Sequence, residues 1–231
     1  MPRRRELKLA KAVPALVYPQ CYPDCVLSCD LLTKGSNDEK SFTLYLRFPI
    51  WICESRKEQY ISFQYDADRL APRTTELKNA EISLDDQQLR RLARQGRPDI
   101  KTLCLSLQEG CFIWCPKSAK SITPVDKSAT QFRRLGTLAQ ARAVSIVFDY
   151  NSFRDERLKR MELLLKHTSM TGVGTDGFQR EYRLAGLTIF GVDEEVEYDN
   201  PPSYTPGPYN PTAKRGRRKS GSILGPSISR S

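Results

Sequence analysis

Seven cysteines and one histidine are the residues of this chain best able to grip a metal or attack a substrate. Cys21, Cys25 and Cys29 lie four apart in "CYPDCVLSC", and Cys111 and Cys115 repeat that spacing in "CFIWC". Structural zinc sites usually rely on tighter CxxC knuckles, which curl two thiolates around one ion. Residues four apart on a strand share a face but stand about 13 Å apart, at ~3.3 Å per residue. Cys111 and Cys115 therefore cannot share an ion along a single strand, whereas Cys21, Cys25 and Cys29 in a loop could. Inert, buried thiols are the better expectation, so no metal ligands are assigned. An odd cysteine count in a chain of 231 residues, which needs no staples to fold, points to a reducing compartment: nucleus or cytoplasm.

Catalysis finds little purchase. His167 ends a helical stretch, where an imidazole meets the last carbonyls of its own helix. No serine or cysteine nucleophile motif accompanies it, so no catalytic residue is expected. Gly172, Gly174 and Gly177 in "MTGVGTDGF" fit G-x-G-x-x-G. That fingerprint needs a strand before the glycines and a helix after them, so that a pyrophosphate meets a helix N-terminus. Here a helical stretch precedes and a strand-like stretch follows, which makes the segment a connecting loop. No cofactor is expected.

Two short motifs near the end of the chain point to binding instead. Pro201, Pro202 and Tyr204 in "PPSY" match the PPxY ligand of WW domains. Proline pre-orders a polyproline II helix, so docking costs little entropy, and the tyrosine reaches a neighbouring pocket. A WW-domain protein is therefore the expected partner, and a WW-containing ubiquitin ligase is one such protein. The cluster Lys214, Arg215, Arg217, Arg218 and Lys219 has the density of a nuclear-import or polyanion-contacting run. It binds through counterion release and carries no sequence readout.

Charge supports the second reading in part. The chain carries a net charge of +10, and before Gly191 31 basic residues face 22 acidic ones. A balance of this kind favours nucleic acid or acidic protein surfaces. Tyr45, Phe63 and Tyr65 could supply stacking faces for single strands, although their alternation also fits a sheet core. No apolar run approaches the roughly 18 residues that cross a bilayer, so no membrane association is expected.

The elements that must position these groups read as follows. Residues 1–40 form a basic segment containing prolines and cysteines, with a short strand at "CVLSCDLL". Leu44, Leu46 and Phe48 alternate with Thr43, Tyr45 and Arg47, and Ile61, Phe63 and Tyr65 repeat that period of two. Three helices are expected. The first opens at Ser83, with Leu89, Leu92 and Ala93 on one face. The second is capped by Ser128 and exposes Phe132, Leu135, Leu138 and Ala139. The third runs from Ser152 to His167. "KTLCLSL" and "CFIWCP" read as strands, joined through "EGC" into a hairpin over Lys101–Cys115, with further strands at "AVSIVFDY" and "RLAGLTIFGV". These elements define an α+β domain over residues 41–192, a mostly antiparallel sheet covered by about three helices. Residues 193–231 turn acidic, then proline-rich, then basic, with too few apolar anchors to order themselves.

The succession "LYLRFP", "ISFQYDADRL", "LSLQEGCFIWCPKSAKSITP", "RRLGTLAQARAVSIVFDY" and an acidic "PPSY" tail resembles a group of fungal proteins with a single α+β domain. The likeness covers most of residues 42–204. It implies a eukaryotic, fungal, intracellular origin and a single α+β domain, and brings no catalytic residues with it. The PPSY motif is what makes a non-enzymatic interaction protein or adaptor the expected function.

Overall fold

The alternation in residues 42–66 is realised as two long strands at the heart of an antiparallel sheet. The structure, a computed structural model, describes residues 12–36, 40–53, 55, 58–93, 97–117, 122–153, 161, 170–173, 179 and 182–190. In chain order the strands are β1 (Val13–Pro19), β2 (Leu27–Gly35), β3 (Phe42–Ile50), β4 (Gln59–Asp66) and β5 (Glu76–Asn79). They continue with β6 (Ile100–Ser106), β7 (Phe112–Pro116), β8 (Ala143–Asp149) and β9 (Tyr182–Ala185). All nine join one sheet in the order β5-β6-β8-β1-β2-β3-β4-β7-β9, and every neighbouring pair is antiparallel.

That order forces the sheet to curl. β6 and β7 are six strand spacings apart, about 29 Å across a flat sheet. Leu107–Cys111 must join them, and the six steps from Ser106 to Phe112 reach only about 21 Å. The two halves therefore fold toward each other. Leu70 bridges Leu107, and the Ala71 amide donates to the Ser106 carbonyl at 2.8 Å, tying the end of β4 to the end of β6. The expected Lys101–Cys115 hairpin is thus corrected: β6 pairs with β5 and β8, and β7 with β4 and β9. A tight local turn signal was outweighed by the long-range partners of each strand.

Helix α2 (Asp126–Gln140) fills the space inside the curl. Its Phe132, Leu135, Leu138 and Ala139 join Leu44, Leu46, Phe63, Leu103 and Phe148 in one buried core. That apolar face matches the sequence reading, but the cap does not. The helix begins at Asp126 after Val125, and Ser128 is buried within its first turn. Helix α1 (Asp86–Leu92) covers the outer face, where buried Leu92 meets Leu16 and Val147. Its cap is Asp85 rather than Ser83: the Asp85 carboxylate accepts from the Gln88 amide at 2.7 Å, and the Gln88 side chain accepts from the Asp85 amide.

Two α-helices are found among the described residues. Of the expected third helix, residues 152–167, the described residues are Ser152, which ends a 3-10 turn (Tyr150–Ser152) instead of capping a helix, Phe153, and Met161, a buried helical position. The last predicted strand is shorter than expected: β9 stops at Ala185, and a 3-10 turn (Leu187–Phe190) follows. Phe190 seats on α2, 5.0 Å from the Phe132 ring. Gly136 makes room there, since a Cβ at 136 would lie 3.1 Å from Phe190 Cβ. The segment set apart as residues 1–40 supplies β1 and β2, and these lie mid-sheet. No helix among the described residues is long and apolar enough to cross a membrane.

Candidate functional site

Where β2 begins and β3 ends, the polar sides of both helices meet over the rim of the sheet. The resulting groove encloses about 450 Å³. Strand-end residues Val26, Leu27, Ser28, Pro49 and Trp51 form one wall, with Glu58 beside them. Arg91 enters from the last turn of α1, and Lys127, Ser128, Thr130, Gln131 and Arg134 from the first half of α2.

The groove is built by ordinary folding contacts. Burial of Leu92 fixes α1 on the outer face and leaves Arg91 beside the rim. The inward face of α2 does the same for Lys127 and Arg134. Hydrogen bonds then lock α2 to the end of β3. The Trp51 carbonyl accepts from the Val125 amide at 3.0 Å, and the Trp51 amide donates to Ser128 Oγ at 3.4 Å. Gln131 Nε2 donates to the Pro49 carbonyl at 3.0 Å. Arg134 Nη1 donates to the Val26 carbonyl at 3.4 Å. Lys127 Nζ stands 3.9 Å from the centroid of the Trp51 ring, a cation–π contact that holds the ammonium in place.

Among the described residues, three cations, Arg91, Lys127 and Arg134, thus converge on a cleft that contains one carboxylate, Glu58. Such a cleft attracts anions, because its low-dielectric walls focus the field of its charges. Arginine adds a planar fork suited to phosphate oxygens. Ser128, on the α2 side, has its oxygen accepting from the Trp51 amide. The arrangement can bind and orient an anion.

The cysteines are dispersed. Cys29 points into the core, Cys25 is half-buried in the turn after β1, and Cys21 is exposed on the same turn. Cys21, Cys25 and Cys29 therefore do not close on one ion, and no group of three metal-ligating side chains converges among the described residues. Cys115 is buried, and burial pushes its thiol up to about 12, with Arg183 opposing. Burial likewise raises Cys29, with Asp30 adding to it. Both stay protonated and unreactive at neutral pH.

Tyr45, Phe63 and Tyr65, weighed above as stacking faces, are all buried to within 1% of full exposure loss and cannot meet a base. Burial, then the charge of Asp66, holds the Tyr45 phenol well above its usual range. Pro201, Pro202 and Tyr204, the cluster Lys214, Arg215, Arg217, Arg218 and Lys219, and His167 lie outside the described residues. Trp51, Arg91, Lys127 and Arg134 were not singled out by the sequence. Only their density of positive charge could have marked them.

A second polar cluster lies on the outer face of β3, β4 and β7. Asp66 Oδ1 accepts from Thr43 Oγ1 at 2.6 Å, and both Asp66 oxygens accept from Gln64 Nε2 at 2.9 Å. Trp114 Nε1 donates to Gln64 Oε1 at 2.7 Å, and the Val173 amide donates to Thr43 Oγ1 at 2.9 Å. Thr43, Gln64, Asp66 and Trp114 are all buried, so this network anchors residues 171–173 rather than meeting a ligand. Compared with known proteins, the chain matches no family model, no curated protein and no solved structure.

Proposed function

We propose that this protein is a non-enzymatic interaction protein whose folded domain binds a polyanion, with nucleic acid as the ligand class. The observation that carries this reading is the convergence of Arg91, Lys127 and Arg134 on one groove. Three cations lining one groove suit contacts to phosphates, which bind by releasing condensed counterions. The positive balance of the chain before Gly191 supplies the longer-range attraction.

The test is a titration of a labelled oligonucleotide at several salt concentrations. The double variant Arg91→Glu/Arg134→Glu is expected to bind at least about tenfold more weakly, with a log–log salt slope shallower by about 2. Both side chains sit at the groove rather than in the core, and Arg134→Glu gives up one long hydrogen bond to the Val26 carbonyl, so unfolding stability should fall by no more than about 1 kcal/mol. An unchanged affinity and slope would remove the reading.

A second reading rests on the sequence of the tail. Pro201, Pro202 and Tyr204 recruit a WW-domain partner, which makes the protein an adaptor or substrate of that partner, a ubiquitin ligase being one candidate. Tyr204→Ala should then abolish capture by WW domains while leaving oligonucleotide binding intact. Capture that survives the substitution would sink this second reading.

A further inference from the structure

We infer that the ligand of the groove is a single-stranded nucleic acid, with one base stacked against Trp51 and the flanking phosphates on Arg91, Lys127 and Arg134. This rests on the polyanion reading and narrows it.

Size is the first argument. A cleft of about 450 Å³, bounded by two helices and two strand ends, has room for a splayed nucleotide or two. A duplex presents its bases stacked and paired, so it could lay phosphates along the rim but put nothing into the cleft. Single strands are recognised differently: unstacked bases settle on aromatic rings and arginine planes while cations track the backbone.

The aromatic content of the cleft is the second argument. The chain has two tryptophans. Trp114 is buried in the polar network of the outer face, with its N–H committed to Gln64. Trp51 is half-buried and lines the groove, so of the two indoles it is the one with surface left at the site. A site reading charge alone has no use for an indole at its wall. Lys127 Nζ covers one face of the Trp51 ring, 3.9 Å from its centroid, so a base stacks there as the ammonium swings off the indole onto a flanking phosphate. Thr130, also on the groove wall, adds a neutral hydroxyl to the lining.

The experiment uses the full chain and three probes: an oligo-dT strand, a duplex of equal length, and inorganic polyphosphate of matching charge. The native protein is expected to favour the single strand over both others, and that strand alone should quench tryptophan emission. Trp51→Leu should weaken the single strand about tenfold, as loss of one stacked base does, and polyphosphate far less, because that probe loses only the seating of Lys127. The quench should vanish in the same variant.

Equal binding of polyphosphate and single strand by the native protein, without quenching, would overturn the inference and leave the polyanion reading standing. So would tighter binding of the duplex. An equal loss for every probe in Trp51→Leu would also overturn it, reducing Trp51 to a perch for Lys127. No binding of any probe would remove both readings. The comparison of probes on the native chain needs no variant, so a poorly folding Trp51→Leu cannot shield the inference.

Discussion

Replacing Asp66 with alanine lowers the unfolding free energy by about 3–5 kcal/mol, because hydrogen bonds to a charged acceptor are worth roughly 1.5–3 kcal/mol each. Two donors lose their acceptor at once: the Thr43 hydroxyl at 2.6 Å and Gln64 Nε2 at 2.9 Å. Neither can turn to water, since Thr43 and Gln64 are both buried. Neither has much freedom to seek another partner. Thr43 Oγ1 already receives the Val173 amide, and Gln64 Oε1 receives the indole N–H of Trp114, so both side chains are pinned.

Backbone packing adds to the loss. Gly172 lies so close to Asp66 that a Cβ at 172 would stand 2.5 Å from Asp66 Cγ. Thr171 bridges Ser41 and accepts from the Phe42 amide at 2.9 Å, which presses this short segment onto the sheet. Removing the carboxylate empties the space that the segment was fitted around. Asp66→Asn keeps one acceptor oxygen and should cost about half as much as Asp66→Ala. Urea unfolding followed by tryptophan emission checks both. A loss below about 1 kcal/mol for Asp66→Ala would mean that this network contributes little to the fold.

Local periodicity carried part of this architecture. The alternation in β3 and β4 and the apolar face of α2 were legible because each registers within a few residues: period two for a half-buried strand, 3.6 for a helix. β1 was not recognised, because Pro14 and Pro19 speak against a central strand. The structure accommodates them by position. β1 pairs with β8 only from Ala15 onward, so the missing N–H of Pro14 leaves no gap in that ladder, and Pro19 is the last residue of the strand. The supposed hairpin failed for the converse reason. Two strands with a tight link look paired locally, yet strand order is set by partners as far apart as Ala15 and Phe148, which no window reports.

The groove was the least legible feature. Arg91 and Arg134 sit on helices whose basic sides read as solvated surface, and Trp51 reads as an extension of β3. Nothing in the spacing from residue 26 to residue 134 shows that they meet. They meet because α1 buries Leu92 on the outer face while α2 buries Leu135 and Leu138 inside the curl, leaving their polar sides against one rim. The site is a by-product of where two apolar faces go.

That dependence makes Phe63 the most consequential core position. Phe63→Ala is expected to cost about 3–5 kcal/mol, the usual range for deleting a buried phenylalanine ring. Its ring is fully buried, 5.2 Å from Phe48 in an edge-on arrangement and 6.3 Å from Phe190. Phe190 in turn lies 5.0 Å from Phe132 of α2, so the four rings link the sheet, the helix inside it and the turn after β9. Collapse around the vacancy is hindered because β4 is held on both sides, by β3 and by β7. Phe190→Ala should cost less, since that residue is only partly buried. Because the two rings touch, the double variant should lose less than the sum of the single losses. Denaturant midpoints measured at constant slope test this. Strict additivity would mean that Phe190 caps α2 independently of the sheet, and that the helix bearing Lys127 and Arg134 is seated by Leu135 and Leu138 alone.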